Sequence, residues 1–112
     1  IDPANPEVQE FLLELLDEII TTYKPDGINL DYIRYPNATA NNDQNAWGFT
    51  EYARNDFKSV YGVDPIDLTT ADANWYDWNQ YRRNNITNFV KKVGKLGREK
   101  NVYISAVIFH QL

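Results

Sequence analysis

Apolar residues in the first quarter of the chain recur at three- and four-residue spacing. Phe11, Leu12, Leu15, Leu16, Ile19 and Ile20 make one stripe, and Glu10, Glu14, Asp17 and Glu18 fall opposite. Asn5-Pro6-Glu7 is a helix start: an N-cap side chain, proline at the first helical position and a carboxylate in the first turn. The residue before a proline avoids the α region, so Pro25 closes the segment. The pattern predicts a helix from about Pro6 to Tyr23.

The period then changes to two. Ile28 and Leu30 alternate with Asn29 and Asp31, which predicts a strand from about Gly27 to Tyr32 with the two polar residues on one face. Asn37 to Asn45 shows no period and reads as a loop. A second helix is expected from Phe49 to Tyr61, with Tyr52, Ala53, Phe57 and Val60 on one side and Gly62 as its stop. Val63 to Asn74 is a further loop. The third helix, about Trp75 to Leu96, carries the stripe Ile86, Phe89, Val90, Val93 and Leu96. Stepping that stripe backward reaches Arg82 and Trp78 on the core-facing side. Gly94 and Gly97 weaken its end. Val102 to Phe109 is nearly all apolar, as a strand buried on both faces should be.

Two apolar strands joined through helices imply an α/β fold with parallel pairing and a right-handed crossover. The connection from Ile33 to Lys100 far exceeds a minimal link, and long loops of this kind usually carry function.

Composition narrows the chemistry. The 112 residues suit one domain, residues 1–112. A net charge of −5 without a Lys/Arg run argues against nucleic acid. The 14% aromatic content with little positive charge suits a neutral polar ligand such as a sugar, although aromatic residues also build cores. Cysteine is absent, which removes disulfides and thiolate metal sites. No apolar run approaches the ~18 residues that a membrane span needs. The chain begins at Ile1, has no Met, and is expected to be a piece of a larger protein.

Asp31 is the principal candidate for chemistry. A carboxylate on a buried strand is costly unless bonded or paired, and enzymes of barrel and doubly wound folds place catalytic groups at strand C-termini. The alternative is a loop cap or a pair with Arg34. Arg82, early in its helix, should share the rim with Asp31 and with Tyr32, Tyr35, Trp47, Trp75 and Trp78. That convergence suits a sugar pocket; the alternative is an Arg82–Asp ion pair that fixes the long loop. His110, the only histidine, follows a strand end and is a further candidate for the site. Glu51 is a candidate second carboxylate, but it opens a helix and is expected to complement its N-terminal charge. Asp43, Asp64, Asp67 and Asp72 do not follow an EF-hand spacing and read as solvated loop carboxylates. The sequons at Asn37 and Asn85 read as chance occurrences.

Asp2-Pro3-Ala4-Asn5-Pro6-Glu7-Val8 and Asp26-Gly27-Ile28-Asn29-Leu30-Asp31-Tyr32-Ile33-Arg34-Tyr35-Pro36 together resemble the bacterial family 10 glycosylhydrolase-like group. Trp78 to Thr87 and Ile104 to Phe109 resemble that family's next helix and strand, so the likeness covers nearly the whole chain. The resemblance implies part of a (β/α)8 barrel: about two parallel strands, flanking helices and a long βα loop. A barrel takes about 250 residues, so the rest of the barrel or self-association is expected to cover the exposed faces. It also implies hydrolysis of O-glycosidic bonds in a polysaccharide, cell-wall glycan being one candidate, by a secreted, periplasmic or envelope-attached protein. By resemblance to barrel glycosidases with Gly-x-x-x-Asp at a strand end, Asp31 is the expected nucleophile, held ionised by Arg34 or Arg82. Asn29, Tyr32, Arg34, Tyr35, Trp78, Arg82 and His110 are the expected substrate-binding residues, with no metal or cofactor. The acid partner is expected beyond Leu112. Two departures stand out. The family commonly has His at Asn29 and Trp at Tyr81, and an amide cannot shuttle protons at neutral pH. The alternatives are a non-catalytic carbohydrate-binding barrel and a structural piece held by an Asp31–Arg82 pair.

Overall fold

The computed structural model describes residues 1–36 and 47–109. Its elements are α1 (Pro6–Tyr23), β1 (Gly27–Leu30), α2 (Glu51–Tyr61), a 3-10 turn (Pro65–Asp67), α3 (Asn74–Lys100) and β2 (Tyr103–Ala106). The helix α1 has the bounds that its sequence signals imply. Asn5 Oδ1 accepts from the Glu7 N–H at 2.9 Å, and Lys24 closes the helix in the left-handed region at φ 48°. In α2 the Thr50 hydroxyl oxygen accepts from Ala53 N–H, Glu51 lies in the first turn, and Gly62 terminates the helix at φ 75°.

The third helix is longer than expected and runs through both of its glycines. It ends at Asn101, whose φ of 56° forms the left-handed cap. Gly97 sits in the helix because β2 packs against it: a Cβ there would lie 2.5 Å from Ile104 Cγ1 and 2.9 Å from the Val102 carbonyl oxygen.

The strands pair in parallel, with Asn29 opposite Ser105 and Leu30 opposite Ala106. Both are shorter than expected. The ladder closes with Val107 N–H donating to Leu30 O at 2.8 Å, after which β1 turns away. A strand can extend only as far as its partner, so Val107 to Phe109 leave the sheet. They are exposed, not buried on both faces as the apolar run implied.

Helices cover one side of this α/β unit. Ile28, Leu30 and Ile104 are half-buried, whereas Asn29, Tyr103 and Ser105 are exposed. The side chains of α1 split similarly: Ile20 is buried, but Phe11 is 62% and Leu15 43% exposed. The main core lies between α2, the start of α3 and the N-terminal turn. Ala4, Ala53, Phe57 and Trp78 are buried there, against Phe49, Val63, Leu68, Trp75 and Tyr81. Gln9 ties the N-terminal turn to α3. Its buried amide donates to Pro3 O at 2.6 Å and its carbonyl accepts from Lys92 Nζ at 2.7 Å. Among the described residues, no helix is long and apolar enough to cross a membrane.

Candidate functional site

The exit of β1 concentrates unusual geometry. Alternation along the strand puts Asn29 and Asp31 on the face that the helices leave bare, and both are exposed. The Ser105 hydroxyl donates to Asn29 Oδ1 at 2.9 Å across the ladder, so register sets the Asn29 amide. Immediately past the strand, Asp31 Oδ1 accepts from Tyr32 N–H at 2.8 Å. Tyr32 has φ 52°, a left-handed conformation rare for a non-glycine residue, and its carbonyl accepts from Arg34 N–H at 2.8 Å. This tight turn brings Arg34 back toward the strand end. Its guanidinium carbon lies 5.0 Å from the Tyr32 ring centroid and 4.5 Å from that of Phe109, within cation–π range of both. Asp31, Tyr32, Arg34, Val107 and Phe109 enclose a cavity of about 200 Å³.

A larger cleft of about 400 Å³ adjoins it, lined by Arg34, Tyr35, Trp47, Gly48, Phe49 and Thr50 together with the N-terminal residues. Arg34 borders both spaces. Behind the cleft lies Arg82, 8% exposed. It donates to Trp47 O at 3.1 Å and to Asn79 Oδ1 at 2.6 Å, and its guanidinium carbon is 5.9 Å from the Tyr35 ring centroid. Burial lowers the Arg82 pKa from its ordinary value, with the nearby Tyr35 acting in the opposite direction. The Tyr35 phenol is pushed up, chiefly by burial, while the Asn85 amide donating to it at 3.4 Å works the other way. Gly48, at φ 92°, passes so close that an added Cβ would lie 3.0 Å from Tyr35 Cε1 and 3.1 Å from Arg82 Cδ. Asp2 fastens the N-terminal turn to α2 by accepting from the Thr50 hydroxyl and from Ala4 N–H.

Of the residues that the sequence singles out, Asp31, Tyr32 and Arg34 meet at the smaller cavity, and Arg34 and Tyr35 line the larger. Asn29 is on the bare face one register step inward. Two expectations are corrected. Trp78 cannot stack on a ligand: it is 0% exposed. Tyr81 stacks on it at 5.3 Å, with Phe57 edge-on at 5.2 Å and Phe49 at 5.1 Å. Arg82 is committed to protein groups behind the cleft and lines neither cavity. Nor does Asp31 form an ion pair with Arg34 or Arg82; among the described residues, the ion pairs are Arg54–Asp64, Lys95–Glu99 and Lys100–Asp17. This removes the reading in which an Asp31–Arg82 pair holds the fold. His110 and the sequon at Asn37 lie outside the described residues.

Other groups are accounted for locally. Asp64 caps the 3-10 turn and pairs with Arg54, and Asp72 accepts from Thr69. Tyr81 donates to Asp56 at 2.8 Å, and burial, followed by that carboxylate, pushes its phenol far above its ordinary range. Phe109 and Ser105 were missed as site residues. Ser105 is the polar interruption of an apolar strand, a signal present in the sequence; its relation to Asn29 required the register.

The model of the family described as glycosyl hydrolase-like 10 matches residues 1–105. An S-layer-related protein of Niallia circulans is 28% identical over 110 residues, an alignment that takes in 86% of this chain and 6% of that protein. The chain thus spans a small part of the curated relative's length. No solved structure matches it.

Proposed function

The chain belongs to the glycosyl hydrolase-like 10 family, and on that premise we propose that it forms part of a (β/α)8-barrel domain that hydrolyses O-glycosidic bonds in a polysaccharide. The observation that carries this reading is the β1 exit. A carboxylate stands at the C-terminal end of a parallel strand, beside a left-handed Tyr32 and an aromatic-held Arg34. Strained backbone of this kind clusters at functional sites. In a (β/α)8 barrel, helices cover the outside and the C-terminal strand ends carry the chemistry. The bare face with Asn29, Asp31 and Ser105 then becomes the barrel interior, and the remaining strands cover the open edges of this pair.

In this reading Asp31 is one of the two carboxylates that glycosidases use. It acts as nucleophile at the anomeric carbon, with Arg34 beside it on the wall of the same cavity. Tyr32 presents an exposed ring to a sugar face. Another strand end of the barrel supplies the acid. The envelope is the proposed location, by secretion or attachment, in keeping with the S-layer-related relative, and cell-wall glycan is a candidate substrate.

A second reading, a non-catalytic carbohydrate-binding barrel, is favoured by two observations. The position where the family commonly has His is Asn29, whose carbonyl is already bonded to Ser105. The cavity at Asp31 has no second carboxylate among its described lining residues.

Reducing-end release from a glycan panel by the intact protein and its Asp31→Asn form separates these readings. Release that disappears in the variant, with ligand binding kept, establishes the hydrolase. Binding without release from either form establishes the binding barrel, and equal release from both moves catalysis away from Asp31.

A further inference from the structure

We propose that the cleft between the β1 exit and residues 47–50 is a second sugar subsite, holding the pyranose next to the one at Asp31 in the same glycan chain. This rests on the carbohydrate reading above and adds the path that the chain takes across the surface.

Continuity is the first ground. Arg34 borders both cavities, so a chain leaving Asp31 on that side passes over its guanidinium into the cleft. The guanidinium plane is held by Tyr32 and Phe109, and none of its N–H groups is bonded to another described residue. A fixed planar cation with unused donors suits the oxygens of a sugar that bridges two subsites.

Size and surface are the second. The cleft, at about 400 Å³, falls within the range typical of small-ligand pockets. Trp47 is 50% exposed at its edge, beside Tyr35 and Phe49. A pyranose has an apolar C–H face and a hydroxyl rim; the rings take the former, while Arg34 and the Thr50 side take the latter. The Asp2 carboxylate also borders the cleft, but its oxygens already accept from Ala4 N–H and the Thr50 hydroxyl. It acts as a brace, not as a charge facing the ligand.

Construction is the third. An exposed tryptophan on a slack loop would lose ordering entropy on binding, and pre-organisation removes that cost. Here the Trp47 carbonyl is pinned by buried Arg82, and Gly48 passes close against both Arg82 and Tyr35, where an added Cβ would lie at 3.1 and 3.0 Å. Arg82 is therefore a positioning residue for the subsite.

The test is calorimetric titration of the intact protein in an Asp31→Asn background, so that bound chains are not cut. The probes are β-1,4-linked oligomers of N-acetylglucosamine and of glucose, and α-1,4-linked oligomers of galacturonic acid, each one to four units long. In at least one series affinity should rise tenfold or more between one unit and two. Trp47→Ala should remove that step and leave one-unit affinity unchanged; the truncation keeps the carbonyl that Arg82 holds. Trp47→Tyr should restore most of the step, which a folding defect would not allow. A step that survives Trp47→Ala overturns the subsite and leaves the carbohydrate reading standing. Absence of affinity for all three series, in both this background and the wild type, overturns the subsite and that reading together.

Discussion

The Arg82 guanidinium, near the start of a 27-residue helix, donates to the carbonyl of Trp47, 35 residues earlier, at 3.1 Å. That bond joins α3 to the segment entering α2. At the next position, Gly48, φ is 92° and a methyl group would press on Tyr35 and Arg82. Gly48→Ala should destabilise the intact protein by about 1–2 kcal/mol from the left-handed backbone alone, and by more if the neighbours cannot shift. Urea denaturation followed through its midpoint checks this; an unchanged midpoint would mean that the segment relaxes freely.

The two glycines of α3 should respond in opposite directions. At Gly97 a Cβ meets Ile104 and the Val102 carbonyl, so Gly97→Ala should cost about 1–3 kcal/mol through overpacking. At Gly94 the nearest atom is the flexible end of Arg98 at 3.4 Å. Gly94→Ala should therefore stabilise by about 0.5–1 kcal/mol, the usual gain in a helix interior. Thermal unfolding of both variants is the check, and equal shifts of the same sign would contradict the packing argument.

Tyr32 separates backbone from side chain. The residue is 76% exposed, so packing does not hold it in the left-handed region. Tyr32→Val and Tyr32→Gly both lose the contact with Arg34. Only valine, branched at Cβ, must pay for φ 52°, so it should be the less stable by about 1–2 kcal/mol. Chemical denaturation of the pair measures the difference.

The Arg54–Asp64 pair predicts an acid-side dependence. Two guanidinium nitrogens of Arg54 donate to Asp64, at 3.0 and 2.7 Å, and hold its carboxyl below the ordinary 3.8. A depressed folded-state pKa contributes stability that is present above 3.8 and is lost as pH falls through the folded value. The stability difference between wild type and Asp64→Asn should therefore be constant near neutrality and shrink below pH 3.8. A difference independent of pH down to strong acid would remove the ion pair as its source.

Sequence carried some of these features and hid others for identifiable reasons. The helix α1 is legible to the residue because Asn5, Pro6 and Pro25 act locally. The end of α3 is not, because Gly97 answers to Ile104, a contact made only once β2 has returned. The strand β2 looked longer than it is because its length depends on where β1 turns away. Trp78 illustrates the same limit at the site. Its place on the Phe89–Val93 stripe pointed inward, and the structure follows the stripe, not the aromatic's suitability for a sugar. What local pattern did show was the concentration of Asp31, Tyr32 and Arg34. It also placed Trp47 on that rim; what it could not show was that Phe109 meets the cluster from a distant position.

The register of the ladder has a kinetic consequence. Four residue pairs join β1 to β2 across the whole of residues 31–102. Closing a loop of that length costs roughly 4 kcal/mol of chain entropy, before any constant term, and a four-residue ladder returns little against it until α2 and α3 have formed and shortened the gap. Strand pairing should therefore be a late event in folding and an early one in local opening. Hydrogen exchange at the Tyr103 and Val107 amides, which donate to Asp26 and Leu30, should be faster than in the middle of α3. The carboxylate at the end of β1 would then owe its place to the last contact the chain makes.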